Sequence, residues 1–191
     1  PVRPENHEIE KARDEFREYL DYFHNLPIFQ SIERGENVID LREFPDDPNN
    51  IEEMDTKKGH LLLRPIGQQI LAASVGVLAS NETDNFGMSL DEIFKILSEK
   101  DKEGKFSAHL PGNLWYGVTY NFRKPSMITS NQPLASKLFI YLVRGADRSE
   151  QQELLSKIKE LRSEIDANGN KIWRDFDGNE APINEGNEYL P

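Results

Sequence analysis

With 191 residues, of which 37% are hydrophobic and 30% charged, the chain is long enough for one globular domain with a real core, or for one domain and a small appendage. Its net charge of −11 opposes non-specific attraction to nucleic acid or to an anionic membrane, so any contact with DNA must be local. The absence of cysteine excludes disulfides and thiolate metal sites and fits a cytoplasmic protein, while no apolar run is long enough for a membrane span.

The first predicted element is an amphipathic helix that Asn6 caps and that extends to about His24, with apolar residues at helical spacing. Pro27 is expected to end this helix, and the segment 28–44 is expected to contain another short one. The run Pro-Asp-Asp-Pro-Asn-Asn at 45–50 is predicted to be a solvated loop rather than a metal site, because its acids lack the spacing of a ligand set.

The stretch 59–78 contains the most continuous apolar run of the sequence, and we expect the core to form around it. Pro65 suits the first turn of a helix, because its φ angle is preset and it lacks an amide hydrogen. Arg64, which precedes the proline, is expected to be extended. The sequence therefore predicts a central helix from about Ile66 to Leu78, whose small residues permit close packing on its neighbours.

Two further helices have clear start signals. A capping box at Ser89 predicts a helix that continues through Leu97. Ser130 or Asn131 is expected to cap the next helix, which carries a proline in its first turn and stops at Gly145.

The C-terminal part of the sequence changes to charged residues around regularly spaced apolar ones. Residues 149–165 predict an amphipathic helix of about two heptads, which is too short to require a coiled coil. A helix laid across the domain is favoured, and a homo-oligomer seam through the same residues is the alternative. The turn signals Asn168-Gly169 and Asp177-Gly178 predict a small hairpin or an ordered tail, frayed after Asn184.

Together these elements predict an α+β, mainly α fold. The central helix, at about 66–78, lies in a bundle-like domain with a small β-hairpin at about 114–129, where aromatic and β-branched residues are enriched. Residues 1–145 are expected to form the mainly helical module, and 146–191 to add the amphipathic helix and the turn-rich tail. Because the chain begins Pro-Val-Arg-Pro without a methionine, we expect it to be part of a longer protein, with a processed tag as the alternative.

Four segments come in the order found in the C-terminal half of one protein family. They are DYFHNLPIF at 21–29, KKGHLLLRPIGQQIL at 57–71, LWYGVTYNFRKPSMITSN at 114–131 and QPLASKLFIYLVRG at 132–145. In these segments the chain resembles the DGQHR-domain proteins, the group that contains the DNA phosphorothioation-associated protein DndB, over roughly Glu15 to Gly145. The resemblance implies a mainly helical C-terminal module of a protein linked to DNA sulfur modification, whose DndB-like members regulate the modification gene cluster.

The signature Asp-Gly-Gln-His-Arg, which gives that family its name, does not occur in this sequence. Gly67-Gln68 is followed by Gln69, and Asp177-Gly178 by Asn179. A site carried by the signature would lie upstream of this chain, so no functional residue is transferred from it.

Few residues point to catalysis or to a cofactor. The histidines His7, His24, His60 and His109 are widely separated and lack a metal-binding spacing, so we expect no metal or cofactor, and we expect His60 and His109 to cap turns. No nucleophile elbow, phosphate loop or dinucleotide fingerprint occurs, and cysteine catalysis is impossible. The run 166–170 is expected to form a turn rather than a calcium loop, because its glycine is misplaced and the bidentate glutamate is missing.

The remaining functional candidates are cations. Lys57, Lys58 and Arg64 precede the central helix, and Arg123 and Lys124 occupy the tip of the predicted hairpin. Exposed cations of this kind contact phosphates, and a hairpin tip can enter a DNA groove, although a basic turn on an acidic protein is more often only solvated. These five residues are our candidates for contact with double-stranded DNA.

Two hypotheses follow for the function. The favoured one is a non-enzymatic module of a DndB-like protein that serves DNA-linked regulation through assembly or limited DNA contact. The alternative is an accessory part of a nucleic-acid-processing enzyme whose catalytic residues lie upstream, since no catalytic motif occurs here.

Overall fold

The structure is a computed structural model, which describes residues 5–44, 56–80 and 86–191. The predicted loop at 45–50 lies outside the described residues. Within them the chain forms seven α-helices and one 3₁₀ turn. The helices are α1 (Asn6–His24), α2 (Pro27–Glu33), α3 (Val38–Arg42), α4 (Pro65–Ala79), α5 (Leu90–Lys102), α6 (Gln132–Arg144) and α7 (Arg148–Leu161), and the 3₁₀ turn is Leu61–Leu63.

Two small antiparallel sheets accompany the helices in the described part of the chain. The strands are β1 (Tyr120–Asn121), β2 (Ser126–Met127), β3 (Ser163–Ile165), β4 (Lys171–Arg174) and β5 (Glu180–Pro182). β1 pairs with β2, and β4 lies between β3 and β5. In the larger sheet, Trp173 is opposite Ser163 on one side and Ala181 on the other. The α+β, mainly α fold is therefore confirmed.

The predicted central helix is confirmed as α4, which gains one residue at each end. It packs most extensively against α6 and also contacts the 3₁₀ turn and α5. The close approach of α4 to the 3₁₀ turn depends on Gly67, because a Cβ atom at this position would lie 2.1 Å from the carbonyl oxygen of Leu61. The Ser74 hydroxyl donates its hydrogen to the Ile70 carbonyl at 2.7 Å, and its oxygen lies 3.3 Å from the Ser136 carbonyl of α6, so this small side chain lets the two helices pack closely.

Helix boundaries differ from the prediction where proline and local capping decide them. Pro27 is predicted only to end the first helix, but it also occupies the first turn of α2, after a short link in which Leu26 is fully buried. Glu5 rather than Asn6 occupies the N-cap of α1, and the carboxylate of Glu8 accepts a hydrogen bond from the Glu5 amide at 2.7 Å. The Ser89 hydroxyl caps α5 as predicted, accepting from the Glu92 amide at 3.2 Å, but the helix continues past the expected end to Lys102.

The predicted hairpin exists but is much shorter than 114–129. Residues 113–119 form turns, because the Trp115 carbonyl accepts the amides of Val118, Thr119 and Tyr120 at 3.0, 2.8 and 3.2 Å. The Trp115 indole is fully buried, packs on the Phe139 ring at 4.8 Å and donates to the Lys105 carbonyl at 2.6 Å. Burying this large side chain folds the segment back on itself, so only two residues remain on each strand.

The C-terminal helix prediction is wrong at its end and right about its packing. α7 stops at Leu161, and 163–165 forms β3, where Ile165 is exposed. The apolar face of α7 is buried within the chain; its buried residues are Leu154, Leu155 and Ile158. The alternative homo-oligomer contact through 149–165 stays a prediction. The predicted fraying after Asn184 is also wrong in part, since Leu190 is buried and its carbonyl accepts from the Tyr141 hydroxyl at 3.3 Å.

Arg162, directly after α7, is fully buried and holds the aromatic loop in place. Its Nε donates to the Tyr116 carbonyl at 2.8 Å, Nη2 to the Asn113 carbonyl at 2.6 Å and Nη1 to the Pro111 carbonyl at 3.1 Å. A Cβ atom at Gly117, where φ is +74°, would lie 2.8 Å from Arg162 Cγ. Burial lowers the pKa of the guanidinium to about 9, so it remains charged at neutral pH.

Replacing Arg162 with lysine should destabilise the fold. A lysine keeps the charge but lacks the planar fork that serves several carbonyls at once, so buried acceptors lose their donors. We expect the free energy of unfolding to fall by about 2–4 kcal/mol, measured by urea denaturation. The control Arg148→Lys changes an exposed arginine at the start of α7 and should have little effect; an equal loss in both variants would contradict the role given to Arg162.

Candidate functional site

The tip of the β1–β2 hairpin carries two of the five candidate cations. The Asn121 side-chain oxygen accepts the amides of Arg123 at 3.1 Å and Lys124 at 3.3 Å, which fixes the turn that presents both side chains. Arg123 is partly engaged: its Nη2 donates to the Ser163 carbonyl at 2.6 Å, and its Nε lies 3.4 Å from the Glu164 carboxylate. Lys124 is exposed, and its side chain forms no ion pair with another residue of the described ranges.

The other three candidates lie around the 3₁₀ turn and are more heavily engaged. The Lys57 ammonium pairs with the Glu36 carboxylate at 3.1 Å, and this hydrogen bond lowers the pKa of Glu36. Lys58 is half-buried. Arg64 donates to the Arg42 carbonyl, and its guanidinium lies 4.2 Å above the Phe44 ring. Burial, together with the charge of Arg42, lowers the pKa of Arg64.

The five cations therefore do not form one charged surface, and their side chains differ in exposure to solvent. Phe44 connects the two groups, since its ring contacts the guanidinium of Arg64 and also packs on the Tyr120 ring of β1 at 4.6 Å. Of the five, Lys124 is the side chain best placed to meet a phosphate, because it is exposed and its backbone is held by Asn121.

A buried histidine–aspartate pair is the polar feature that sequence reasoning did not connect. His60 Nε2 lies 2.8 Å from Asp101 Oδ1, and both side chains are nearly inaccessible to solvent. The second oxygen of Asp101 accepts the Ile28 amide at 2.9 Å, which anchors the first turn of α2. His60 Nδ1 accepts the Leu62 amide at 3.2 Å, so the predicted capping role of His60 is confirmed.

This pair is built to stabilise the fold rather than to transfer protons. His60 Nδ1 accepts a backbone hydrogen, so Nε2 carries the ring hydrogen and donates it to Asp101. Both ring nitrogens are then engaged within the protein. A cleft of about 270 Å³ does lie beside the pair, with Ser31, Arg34 and Lys57 among its lining residues.

A second serine–histidine contact has the same character. The Ser107 hydroxyl donates to the Lys58 carbonyl at 2.5 Å, and His109 Nδ1 lies 3.1 Å from the Ser107 hydroxyl oxygen. Because the hydroxyl hydrogen is already committed, Ser107 accepts from His109 rather than being activated by it. Ser107 is fully buried, so this contact ties the turn before the 3₁₀ segment to the loop after α5.

An apolar cleft of about 220 Å³ lies where α4, α6 and α7 meet. Val77, Ile140 and Leu154 contribute apolar surface to it, and the Arg144 guanidinium lies 4.2 Å above the Phe86 ring. Across the part of the chain that the structure describes, no group of three or more acidic or histidine side chains is arranged to hold a metal ion. In the same residues, no helix is both long and apolar enough to cross a lipid bilayer.

Comparison with protein-family models, with curated proteins and with solved structures finds no match to this chain. The site must therefore be interpreted from its own geometry.

Replacing Asp101 with asparagine tests the buried pair. The aspartate accepts from two donors, His60 Nε2 and the Ile28 amide, whereas an asparagine has one acceptor oxygen and would direct its amide hydrogens at a second donor. We expect a loss of about 1–3 kcal/mol in the free energy of unfolding, measured by urea denaturation. Glu99→Gln, on the exposed face of the same helix, is the matched control. An equal loss of stability in the two variants would show that the His60–Asp101 pair does not stabilise the fold.

Proposed function

We propose that this chain is a non-enzymatic module of a cytoplasmic DndB-like protein linked to DNA sulfur modification. In this proposal it serves DNA-linked regulation, mainly by supporting assembly of the protein and also through a limited contact with duplex DNA. The order of the four family-like segments supports the first part of the proposal. The hairpin tip supports the second.

One observation carries the DNA contact: the Asn121 side chain fixes a turn from which exposed Lys124 extends. Fixing the backbone lowers the entropy that is lost when a side chain engages a phosphate. Arg123 adds a second cation beside it, but the carboxylate of Glu164 offsets part of its charge. We therefore expect this surface to engage one or two phosphates rather than a long stretch of duplex.

The charge balance limits what such a contact can do. A chain with a net charge of −11 is repelled by the DNA backbone as a whole, so two cations cannot supply strong binding alone. Lys57 and Arg64 add little while they pair with Glu36 and the Arg42 carbonyl. The proposed contact orients DNA against a larger assembly, which supplies most of the affinity.

Fluorescence anisotropy on duplex DNA, with and without phosphorothioate, across a salt series tests this proposal. If Lys124 neutralises one phosphate, Lys124→Ala should reduce the slope of log affinity against log salt by about one. The control Lys95→Ala removes the same charge from the exposed face of α5 and should leave that slope unchanged.

Two results would reject the DNA contact. One is the absence of any salt-dependent signal at low ionic strength. The other is an equal change in both variants, which would show a response to net charge alone. A preference between the two duplexes would tie the contact to sulfur modification, and a contact without preference would leave the regulatory part of the proposal without support.

A further inference from the structure

The first three turns of α1 present an apolar stripe that nothing in the described chain covers. No residue of α1 is buried. Ile9 is 47% exposed and Phe16 61%, and Leu20, one turn further along, is 42% exposed, so α1 carries more exposed large apolar side chains than any other helix of the described residues. Exposed apolar side chains that are contiguous on one helix face indicate an interaction surface.

The helix is nevertheless firmly attached at its C-terminal end. Tyr19 and Tyr22 pack on the Phe94 ring of α5, with ring centroids 5.7 and 5.5 Å apart, and Phe23 packs on Phe29 of α2 at 4.4 Å. All the aromatic anchors lie at or beyond residue 19. The first three turns therefore extend in a fixed direction beyond these anchors, with their apolar stripe exposed.

The stripe has the spacing of a helix-pairing seam. Ile9, Ala12 and Phe16 occupy positions a, d and a of a heptad, with Glu8 and Arg13 at the flanking g and e positions. In a parallel pair of helices, a g residue lies beside the e residue five positions further along the partner. Glu8 of one copy then meets Arg13 of the other, twice across the pair.

We propose that α1 pairs in parallel with α1 of a second copy of this chain. The charges select this partner and this direction: an antiparallel pair would place g against g and e against e, so that acid meets acid and base meets base. Because α1 is already folded on α5, pairing does not have to nucleate a helix. This inference depends on the α1 surface alone and is independent of the proposed DNA contact.

The length of the seam sets the strength of the pair. Three turns bury less than the roughly 800 Å² per partner of a standard stable interface, so we expect a dissociation constant on the order of 100 µM. Such a pair forms where the chain is concentrated, as on a shared assembly. It is a different surface from α7, whose apolar face is already buried.

Sedimentation equilibrium of the chain over about 5 to 500 µM measures the pairing, because association follows mass action. We expect the average mass to rise with concentration, and Phe16→Glu to abolish the rise while leaving the thermal midpoint unchanged. Ile165→Glu is the control, since it places the same charge on another highly exposed apolar residue. A monomer at every concentration, or an equal loss of association in the control, would overturn the proposal.

A charge-exchange experiment tests the direction of the pair. Glu8→Lys alone and Arg13→Glu alone each place like charges across the seam, so each should associate less than the unchanged chain. An equimolar mixture restores both opposite-charge contacts and should form a heterodimer. The Glu8→Lys variant also loses the hydrogen bond from the Glu5 amide to the Glu8 carboxylate, but this loss is the same in the variant alone and in the mixture, so it does not change the comparison. Weaker association of each single variant than of the unchanged chain, restored on mixing, therefore supports parallel pairing, because an antiparallel pair already opposes like charges and would not be weakened by either single change. Equal association in the two single variants, the mixture and the unchanged chain overturns it.

Discussion

The close contact between α4 and its neighbours is the constraint on which the rest of the fold depends. Gly67 lets the helix approach the Leu61 carbonyl more closely than any side chain would allow, and Ser74 brings its backbone near that of α6. This contact places the 3₁₀ turn, and with it His60, beside α5. Asp101 of α5 then anchors α2, so the N-terminal helices take their position from a glycine in the central helix.

Local signals in the sequence were sufficient for most of the helix starts, but not for the ends of α5 and α7. Pro65, the Ser89 cap and Gly145 mark boundaries within a few residues, because each acts on the backbone beside it. The segment 113–119 could not be predicted in the same way. Its composition favours a strand, but the burial of Trp115 against Phe139 and the carbonyl contacts of Arg162 impose turns, and both partners are distant in sequence.

The same limit applies to the candidate site. A sequence shows which residues are cationic but not which of them already pair with an acid. It could therefore not distinguish Lys57 and Arg123, which pair with Glu36 and Glu164, from the exposed Lys124. His60 and Asp101 are 41 residues apart, and no spacing rule connects them. Whether any of these cations contacts DNA remains a prediction.

The contacts of Arg162 also bear on the order in which the chain folds. They close loops of 46, 49 and 51 residues, to Tyr116, Asn113 and Pro111. Loop closure of this length costs entropy before any contact is gained. During synthesis from the N-terminus, the aromatic loop has no clamp until Arg162 has left the ribosome. We infer that the buried rings of this loop are the last part of the N-terminal three-quarters of the chain to lose contact with water. Pulsed hydrogen exchange during refolding would record this order as late protection of the Val118, Thr119 and Tyr120 amides, which donate to the Trp115 carbonyl.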